Sequence, residues 1–232
     1  MRRFEDIPDV TKNLLILNII VFIVTNFKLQ LISLLGLHYI SHPDFYLFQF
    51  ITSIFVHAPL HNPYSQSQFG LFHILFNMYA LYSFGGLLEN VWGAKRFGIF
   101  YLICGIGANI INTIVNIIIV YKATGQVFIS EADISNSLLD QTYNGFGVGA
   151  SGAIFGILGA YFVLFPHTKL SLMFPPITLE ARIFIPIYVL IELYLATNRF
   201  EGDNIGHVAH LGGVFIGYIL VKIWNKRSNT FY

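Results

Sequence analysis

The stretch Gly149-Ala150-Ser151-Gly152-Ala153-Ile154-Phe155-Gly156 lies where a polar, turn-rich segment gives way to an apolar run. The run begins with small residues, which let a neighbouring helix approach closely. A serine at its start is either a residue that helps two helices to pack or a nucleophile. The remaining sequence has to distinguish these two interpretations.

The composition of the chain is that of a membrane protein. Hydrophobic residues make up 55% of the 232 positions and charged residues 11%, whereas soluble domains carry about 25% charged residues. The net charge of +1 gives no electrostatic attraction to nucleic acid, so no such partner is predicted. The single cysteine, Cys104, excludes an intrachain disulfide and cannot by itself supply a thiolate metal site.

Six apolar segments predict an all-α integral membrane protein, since spanning a bilayer takes roughly 20 apolar residues. Their continuous apolar character favours helices over a barrel, in which polar and apolar residues would alternate. The predicted bundle covers residues 13–224, between short cytoplasmic tails at 1–12 and 225–232, and has a long external first loop at 28–70. The six segments are residues 13–27, 71–92, 97–121, 150–165, 177–196 and 205–224, of which the fourth is short and central.

Basic residues near the segment ends predict the orientation, because they accumulate on the cytoplasmic side. Placing the N-terminus inside leaves only Lys28, Lys122 and Arg199 outside. We therefore expect both termini in the cytoplasm, a bacterial cytoplasmic membrane, and a fourth segment whose start opens to the outer side. The basic residues then on the inside are Arg2, Arg3, Lys12, Lys95, Arg96, Lys169, Arg182, Lys222, Lys226 and Arg227.

A histidine of the sixth segment lies on a face rich in glycine. At 100° per residue, three glycines fall within about 60° of His210 on one helix face. Packing this stripe on a matching one in the fourth segment would bring Ser151 within hydrogen-bond reach of His210, as activation of a serine requires. His207 lies about 60° off the stripe and ranks second. The stripes comprise Gly206, Gly213 and Gly217 in the sixth segment and Gly152, Gly156 and Gly159 in the fourth.

The second segment offers hydrogen-bond donors. His73 and Asn77 are four residues apart and share one helix face. Together with the backbone N–H of Ser151 at a helix N-terminus, they suit an oxyanion hole. The alternative is that the two side chains make interhelical hydrogen bonds without chemistry.

Three motifs in this order resemble the rhomboid intramembrane serine proteases. They are His73-x-x-x-Asn77, Gly149-Ala150-Ser151-Gly152 and Ala209-His210-x-Gly212-Gly213, and residues 85–97 resemble the family's segment after the His/Asn helix. The resemblance covers about residues 45–224. It implies a six-helix, rhomboid-like bundle and an endopeptidase that cuts a peptide bond in or next to a transmembrane segment of membrane-protein substrates.

The resemblance also implies roles for individual residues. Ser151 is the nucleophile and His210 the general base, in a dyad without an acidic third member, and no aspartate lies in a nearby span. His73, Asn77 and the Ser151 backbone hold the oxyanion. Substrate proteins and membrane lipid are the implied partners, and no cofactor, metal or obligatory partner subunit is implied. The supporting residues are Gly149, Gly152, Gly213 and Gly217, with Phe155 as the aromatic packed on the histidine ring.

Two other functions remain open. A catalytically silent rhomboid-like protein would bind or escort membrane helices, but silent relatives lack the serine and histidine that this chain keeps. A small transporter or channel would need charges along a path through several helices.

The sequence departs from the family pattern in the first loop. Phe48-Gln49 stands where family members often carry Trp-Arg, so a contact made by the arginine is expected to be absent. Residues 58–69 form a longer connection than usual and predict an inserted surface turn. His57, His61 and His73 invite comparison with a metal site, which the proline at position 59 disfavours.

Glu192 is an acidic residue within the fifth segment. We expect it either to reach the outer interface or to pair with Arg199. A role in gating or substrate contact is the alternative, since helix five is regarded as the lateral gate of the rhomboid family.

Overall fold

A computed structural model describes residues 4–60, 70–171, 178–198 and 206–227. These residues are mostly helical, as predicted. They also include a short antiparallel strand pair that the sequence did not predict, in which β1 (Lys169–Ser171) pairs with β2 (Thr178–Glu180).

Within the described ranges, five helical segments are long and apolar enough to cross a membrane, and the protein is a multi-pass membrane protein. The second of them contains one π-helical turn, Leu81–Gly85. The segments are α1 (Asp9–Phe27), α4 with α5 (Gly70–Ala80 and Gly86–Trp92), α6 (Ala94–Thr124), α9 (Ala181–Asn198) and α10 (His207–Arg227). Thus α1 and α10 both extend into the regions predicted to be tails.

The remaining apolar segment, the fourth in the sequence, forms α8 (Ser151–Leu164), which is shorter, with 14 residues. All of its residues from 152 to 161 are buried. A helix that is apolar on every side is typical of a position inside a protein. The neighbours α6 and α10 enclose it, so the segment that begins with Ser151 lies at the centre of the fold.

Two glycine pairs bring α8 and α10 together. A Cβ atom added to Gly213 would collide with the carbonyl oxygen of Gly152, and one added to Gly217 would collide with that of Gly156. The predicted packing of the stripes is confirmed at these positions. Gly206 does not take part, because a Cβ there would meet only its own neighbour Ala209, at 3.7 Å.

The first loop contains two short helices, α2 (Gln30–Leu35) and α3 (Gln49–Thr52). It is attached to the chain between α7 (Ser137–Asn144) and α8, where Leu37 and Gly147 exchange two backbone hydrogen bonds of 2.9 Å. The loop therefore positions the approach to Ser151. Most of the predicted inserted turn, residues 61–69, lies outside the described residues.

At Phe48-Gln49, where the arginine that rhomboid family members often carry is absent, the glutamine makes loop contacts of its own. Gln49 is fully buried, and its amide oxygen accepts hydrogen bonds from the backbone N–H groups of His38 and Tyr46, at 3.3 and 3.2 Å. Its amide nitrogen donates to the carbonyls of Leu34 and Asp44, at 3.1 and 2.7 Å. A neutral amide, which can both donate and accept, thus holds the loop backbone in place.

Candidate active site

Ser151 is the first residue of α8, and a constrained turn leads into it. Gly149 has a φ of +133°, which residues with side chains rarely adopt. Its N–H donates to the carbonyl of Ser53 in the first loop, at 2.9 Å. A Cβ at this position would lie 2.9 Å from His73 Nε2. Glycine therefore satisfies both the backbone angle and the close approach of the histidine.

Ser151 and His210 meet across the α8–α10 contact, as the glycine stripes predicted. The hydroxyl Oγ of Ser151 lies 2.8 Å from Nε2 of His210. His210 is 8% exposed, and Ser151 is half-buried. An imidazole that carries its proton on Nδ1 can take the hydroxyl proton at Nε2, so the pair has the geometry of an activated serine.

The His210 ring is packed on Phe155, as predicted. The two ring centroids lie 4.1 Å apart and the planes differ by 6°. Tyr188 of α9 packs against Phe155, and the centroids of these two rings lie 5.2 Å apart. This stack limits rotation of the imidazole about its side-chain bonds.

His210 has an acidic partner that the sequence did not predict. Oε2 of Glu192 lies 3.0 Å from Nδ1 of His210 and 2.6 Å from Nδ1 of His207. Glu192 is 3% exposed, so the expectation that it reaches the interface is wrong, and so is the expectation that no acidic group approaches the pair. Arg199, its other expected partner, lies outside the described residues.

One signal in the sequence could have indicated this contact. A carboxylate inside a membrane span needs a partner, and His207 and His210, three residues apart, share a helix face. However, the contact joins α9 to α10, and only the packing of these helices shows which residue meets which.

His73 faces the turn before Ser151. The backbone N–H of Ala58 donates to His73 Nδ1, at 3.3 Å. A neutral ring that accepts at Nδ1 carries its proton on Nε2, and this nitrogen is the atom that a Cβ at position 149 would meet first. His73 thus presents a donor toward the segment that holds Ser151.

Asn77, one turn further along α4, is buried and donates from Nδ2 to the carbonyl of His73, at 2.8 Å. An amide nitrogen has two hydrogens, so one of them is used within the helix. The N–H of Ser151 belongs to the first turn of α8, where backbone donors have no acceptor within the helix. His73 Nε2 and the backbone N–H groups of the first turn are therefore the donors that the structure places at this end of α8, and Asn77 lies one helical turn from His73.

His57 borders the site from the first loop. It is fully buried, and its ring centroid lies 5.1 Å from that of His73. Burial, and secondarily the nearby His73, lowers the pKa of His57 to about 3. His61, the third residue of the metal alternative, lies outside the described residues.

Comparison with known proteins gives the family. Residues 44–227 match the Rhomboid domain. The chain is 30% identical over 183 residues to the mouse presenilin-associated rhomboid-like protein, mitochondrial, covering 70% of this chain and 41% of the relative. It is 31% identical over 165 residues to RHOMBOID-like protein 1 of Arabidopsis thaliana, covering 70% and 33%.

A third relative is Rhomboid protein 1, mitochondrial, of Saccharomyces cerevisiae, which is 28% identical over 147 residues, covering 63% of this chain and 36% of the relative. The matches thus span between a third and about two fifths of the relatives' length. The domain match alone covers most of the chain, and it does so across the helices that hold Ser151 and His210. This protein belongs to the rhomboid family.

Proposed function

We propose that this protein is an intramembrane serine endopeptidase that hydrolyses a peptide bond in or next to a transmembrane segment of membrane-protein substrates. The observation that carries the proposal is the 2.8 Å contact between Ser151 Oγ and His210 Nε2. The stacked Phe155 ring and the donors at the start of α8 support it.

In the first half of the reaction, Ser151 Oγ attacks the scissile carbonyl carbon while His210 Nε2 takes the hydroxyl proton. The carbonyl oxygen becomes an oxyanion, to which His73 Nε2–H, the free amide hydrogen of Asn77 and the Ser151 N–H donate. The carbon–nitrogen bond then breaks, and Nε2 gives its proton to the departing amine. An acyl-enzyme on Ser151 remains.

In the second half, a water molecule attacks the acyl carbon and gives a proton to His210 Nε2. Collapse of this second tetrahedral species releases the acid, and Nε2 returns the proton to Ser151 Oγ. Water therefore has to reach Ser151. Ser151 is half-buried and lies at the end of α8 rather than at the helix centre, which supports a pocket that opens to one side of the membrane.

The proposed membrane arrangement has six spans, with the short α8 as the fourth. The proposed location is a bacterial cytoplasmic membrane. The basic residues near the segment ends support an orientation with both termini on its cytoplasmic side and a site that opens outward. Because the scissile bond has to reach Ser151 in extended form, small or helix-breaking residues near that bond are the expected preference.

The test is cleavage of a single-span substrate protein by purified enzyme in proteoliposomes. Wild type should cleave, whereas Ser151→Ala and His210→Ala should not. Ser135→Ala and His167→Ala change an exposed serine and an exposed histidine outside the site, and both should cleave like wild type. Equal cleavage by wild type and Ser151→Ala would refute the proposal.

Labelling by a fluorophosphonate probe tests the nucleophile separately. The probe should label wild type and not Ser151→Ala. Substrate binding by wild type without cleavage or labelling would instead establish the silent, helix-binding alternative.

A further inference from the structure

Glu192 is a buried carboxylate on α9, between two apolar side chains that face outward. Its neighbours Ile191 and Leu193 are 47% and 48% exposed, whereas Glu192 is 3% exposed. An ionisable group at such a position is costly unless its hydrogen-bonding capacity is satisfied. The two histidines of α10 satisfy it.

A single oxygen makes both contacts. Oε2 of Glu192 lies 2.6 Å from His207 Nδ1 and 3.0 Å from His210 Nδ1. An ionised carboxylate oxygen can only accept hydrogen bonds, so both Nδ1 atoms must be donors. The contact therefore holds the proton of neutral His210 on Nδ1 and leaves the lone pair of Nε2 for the Ser151 hydroxyl, 2.8 Å away.

The opposite tautomer would be unproductive. With its proton on Nε2, His210 would point a lone pair at the carboxylate and could not accept the proton of Ser151. In serine proteases with an Asp, replacing that carboxylate by an amide leaves the geometry intact but stabilises the wrong tautomer and lowers kcat about 10⁴-fold. The carboxylate also stabilises the imidazolium that forms when Nε2 has taken the serine proton.

Phe155 and Glu192 constrain different parts of the same ring. Phe155 covers its face, whereas Glu192 contacts its edge at Nδ1. His207 holds the carboxylate oxygen from the other side, so that Glu192 is fixed between two turns of α10. A ring stack sets the plane of the imidazole but does not choose the nitrogen that carries the proton.

We propose that Glu192 is the positioning residue of a Ser151–His210–Glu192 triad, in which it fixes the Nδ1–H tautomer of His210 and His207 holds its carboxylate in place. The catalytic part of this inference rests on the proposed protease function. The assignment of the tautomer does not, because it can be observed in the resting protein.

The first experiment observes the proton. Nitrogen NMR of ¹⁵N-histidine-labelled full-length protein in bicelles, with His210→Ala to assign the signals, should show His210 protonated at Nδ1 in wild type at neutral pH. In Glu192→Leu, the Nε2–H form of His210 should become populated. A wild-type His210 with its proton on Nε2, or the same tautomer in both proteins, would overturn the proposal whether or not the protein cleaves anything.

The second experiment measures the rate. Glu192→Leu should lower kcat by about 10²- to 10⁴-fold with little change in KM, since the residue acts through His210 and not on the substrate. Glu192→Asp keeps a carboxylate and should be intermediate. Wild-type kcat in Glu192→Leu would refute the triad, whereas absence of cleavage by wild type would refute the protease proposal itself.

Glu89 provides a matched control. It is also buried, at 4% exposure, and binds the N–H groups of Val10 and Thr11, at 2.8 and 2.7 Å, far from the site in sequence. Glu89→Leu should lower the thermal unfolding temperature but leave kcat of the folded enzyme and the His210 tautomer unchanged. An equal loss of kcat in this variant would show that the effect at Glu192 is only structural.

A metal ion is the competing occupant, because the ligand atoms of Glu192, His207 and His210 all lie within 4.8 Å of one another. Metal at Nδ1 would replace the proposed proton. If a chelator lowers wild-type kcat as far as Glu192→Leu does, and Zn²⁺ restores it, the proton assignment is wrong. Unchanged activity with the chelator supports the triad.

Discussion

Phe155 and His210 lie face to face, with ring centroids 4.1 Å apart and planes only 6° from parallel. They are residues of different helices, α8 and α10, and the glycine contacts between these helices bring the rings together. The stack therefore links the packing of the bundle to the orientation of the histidine beside Ser151.

Replacing Phe155 by Leu should slow cleavage. An aromatic pair contributes about 0.5–1.5 kcal/mol beyond the area it buries, so we expect kcat to fall about 2- to 13-fold. Phe155→Tyr keeps the ring and is the control. Steady-state cleavage assays measure both variants, and a Leu variant as fast as the Tyr variant would show that the stack does not orient His210.

Gly213→Ala should destabilise the protein and separate Ser151 from His210. The new Cβ would press on the backbone carbonyl of Gly152, which cannot rotate away as a side chain could. Overpacking of this kind costs about 1–3 kcal/mol, which thermal unfolding in detergent should detect together with reduced probe labelling of Ser151.

Gly98→Ala is the control for that change. Its Cβ would meet only Val10, at an ordinary contact distance of 3.5 Å. Alanine also favours helix over glycine. The unfolding temperature should stay the same or rise, and a fall as large as that of Gly213→Ala would contradict the steric explanation.

Gly149→Ala should abolish most of the activity. The substitution places a methyl group 2.9 Å from His73 Nε2 and forces a side chain to adopt a φ of +133°. Loss of one oxyanion donor lowers kcat about 10²- to 10³-fold in other enzymes, and we expect a loss of this size in the cleavage assay. Gly147→Ala, whose Cβ would have no neighbour closer than 3.9 Å, should retain activity.

His57 should make the fold sensitive to acid. Its pKa is lowered to about 3 in the folded protein by burial, against about 6.5 in an unfolded chain. The unfolded chain therefore binds more protons between these values, and the free energy of unfolding should fall as the pH drops below 6.5. At pH 4 the loss is on the order of 3 kcal/mol.

Thermal unfolding of wild type and His57→Leu between pH 7 and pH 4 measures this effect. The variant should lose less stability than wild type over that range. His167→Ala, which removes an exposed histidine, should follow the wild-type curve. If wild type and His57→Leu lost the same stability between pH 7 and pH 4, His57 would not be the group that makes the fold sensitive to acid.

The contrast between Gln49 and the glycine stripes shows what a sequence can predict. The stripes were predictable because helix periodicity places every third or fourth residue on one face, and Gly152 and Gly156 do meet Gly213 and Gly217. For Gln49, the sequence shows only a glutamine at the place where rhomboid family members often carry an arginine. Its four hydrogen bonds to the loop backbone depend on a fold of the loop that no periodic pattern encodes.

The amino-acid pattern alone predicts a helical membrane protein in which Ser151 begins a helix of small residues and His210 lies on the face that meets this helix. These properties follow from composition and from the 3.6-residue period of a helix, which are local. The contact partners of the Glu192 carboxylate, in contrast, depend on how the helices pack. Helix periodicity gives the face of α9 on which Glu192 lies. The neighbour of that face depends on how α9 packs on α10. This packing brings the carboxylate to His207 and His210 instead of to lipid or solvent.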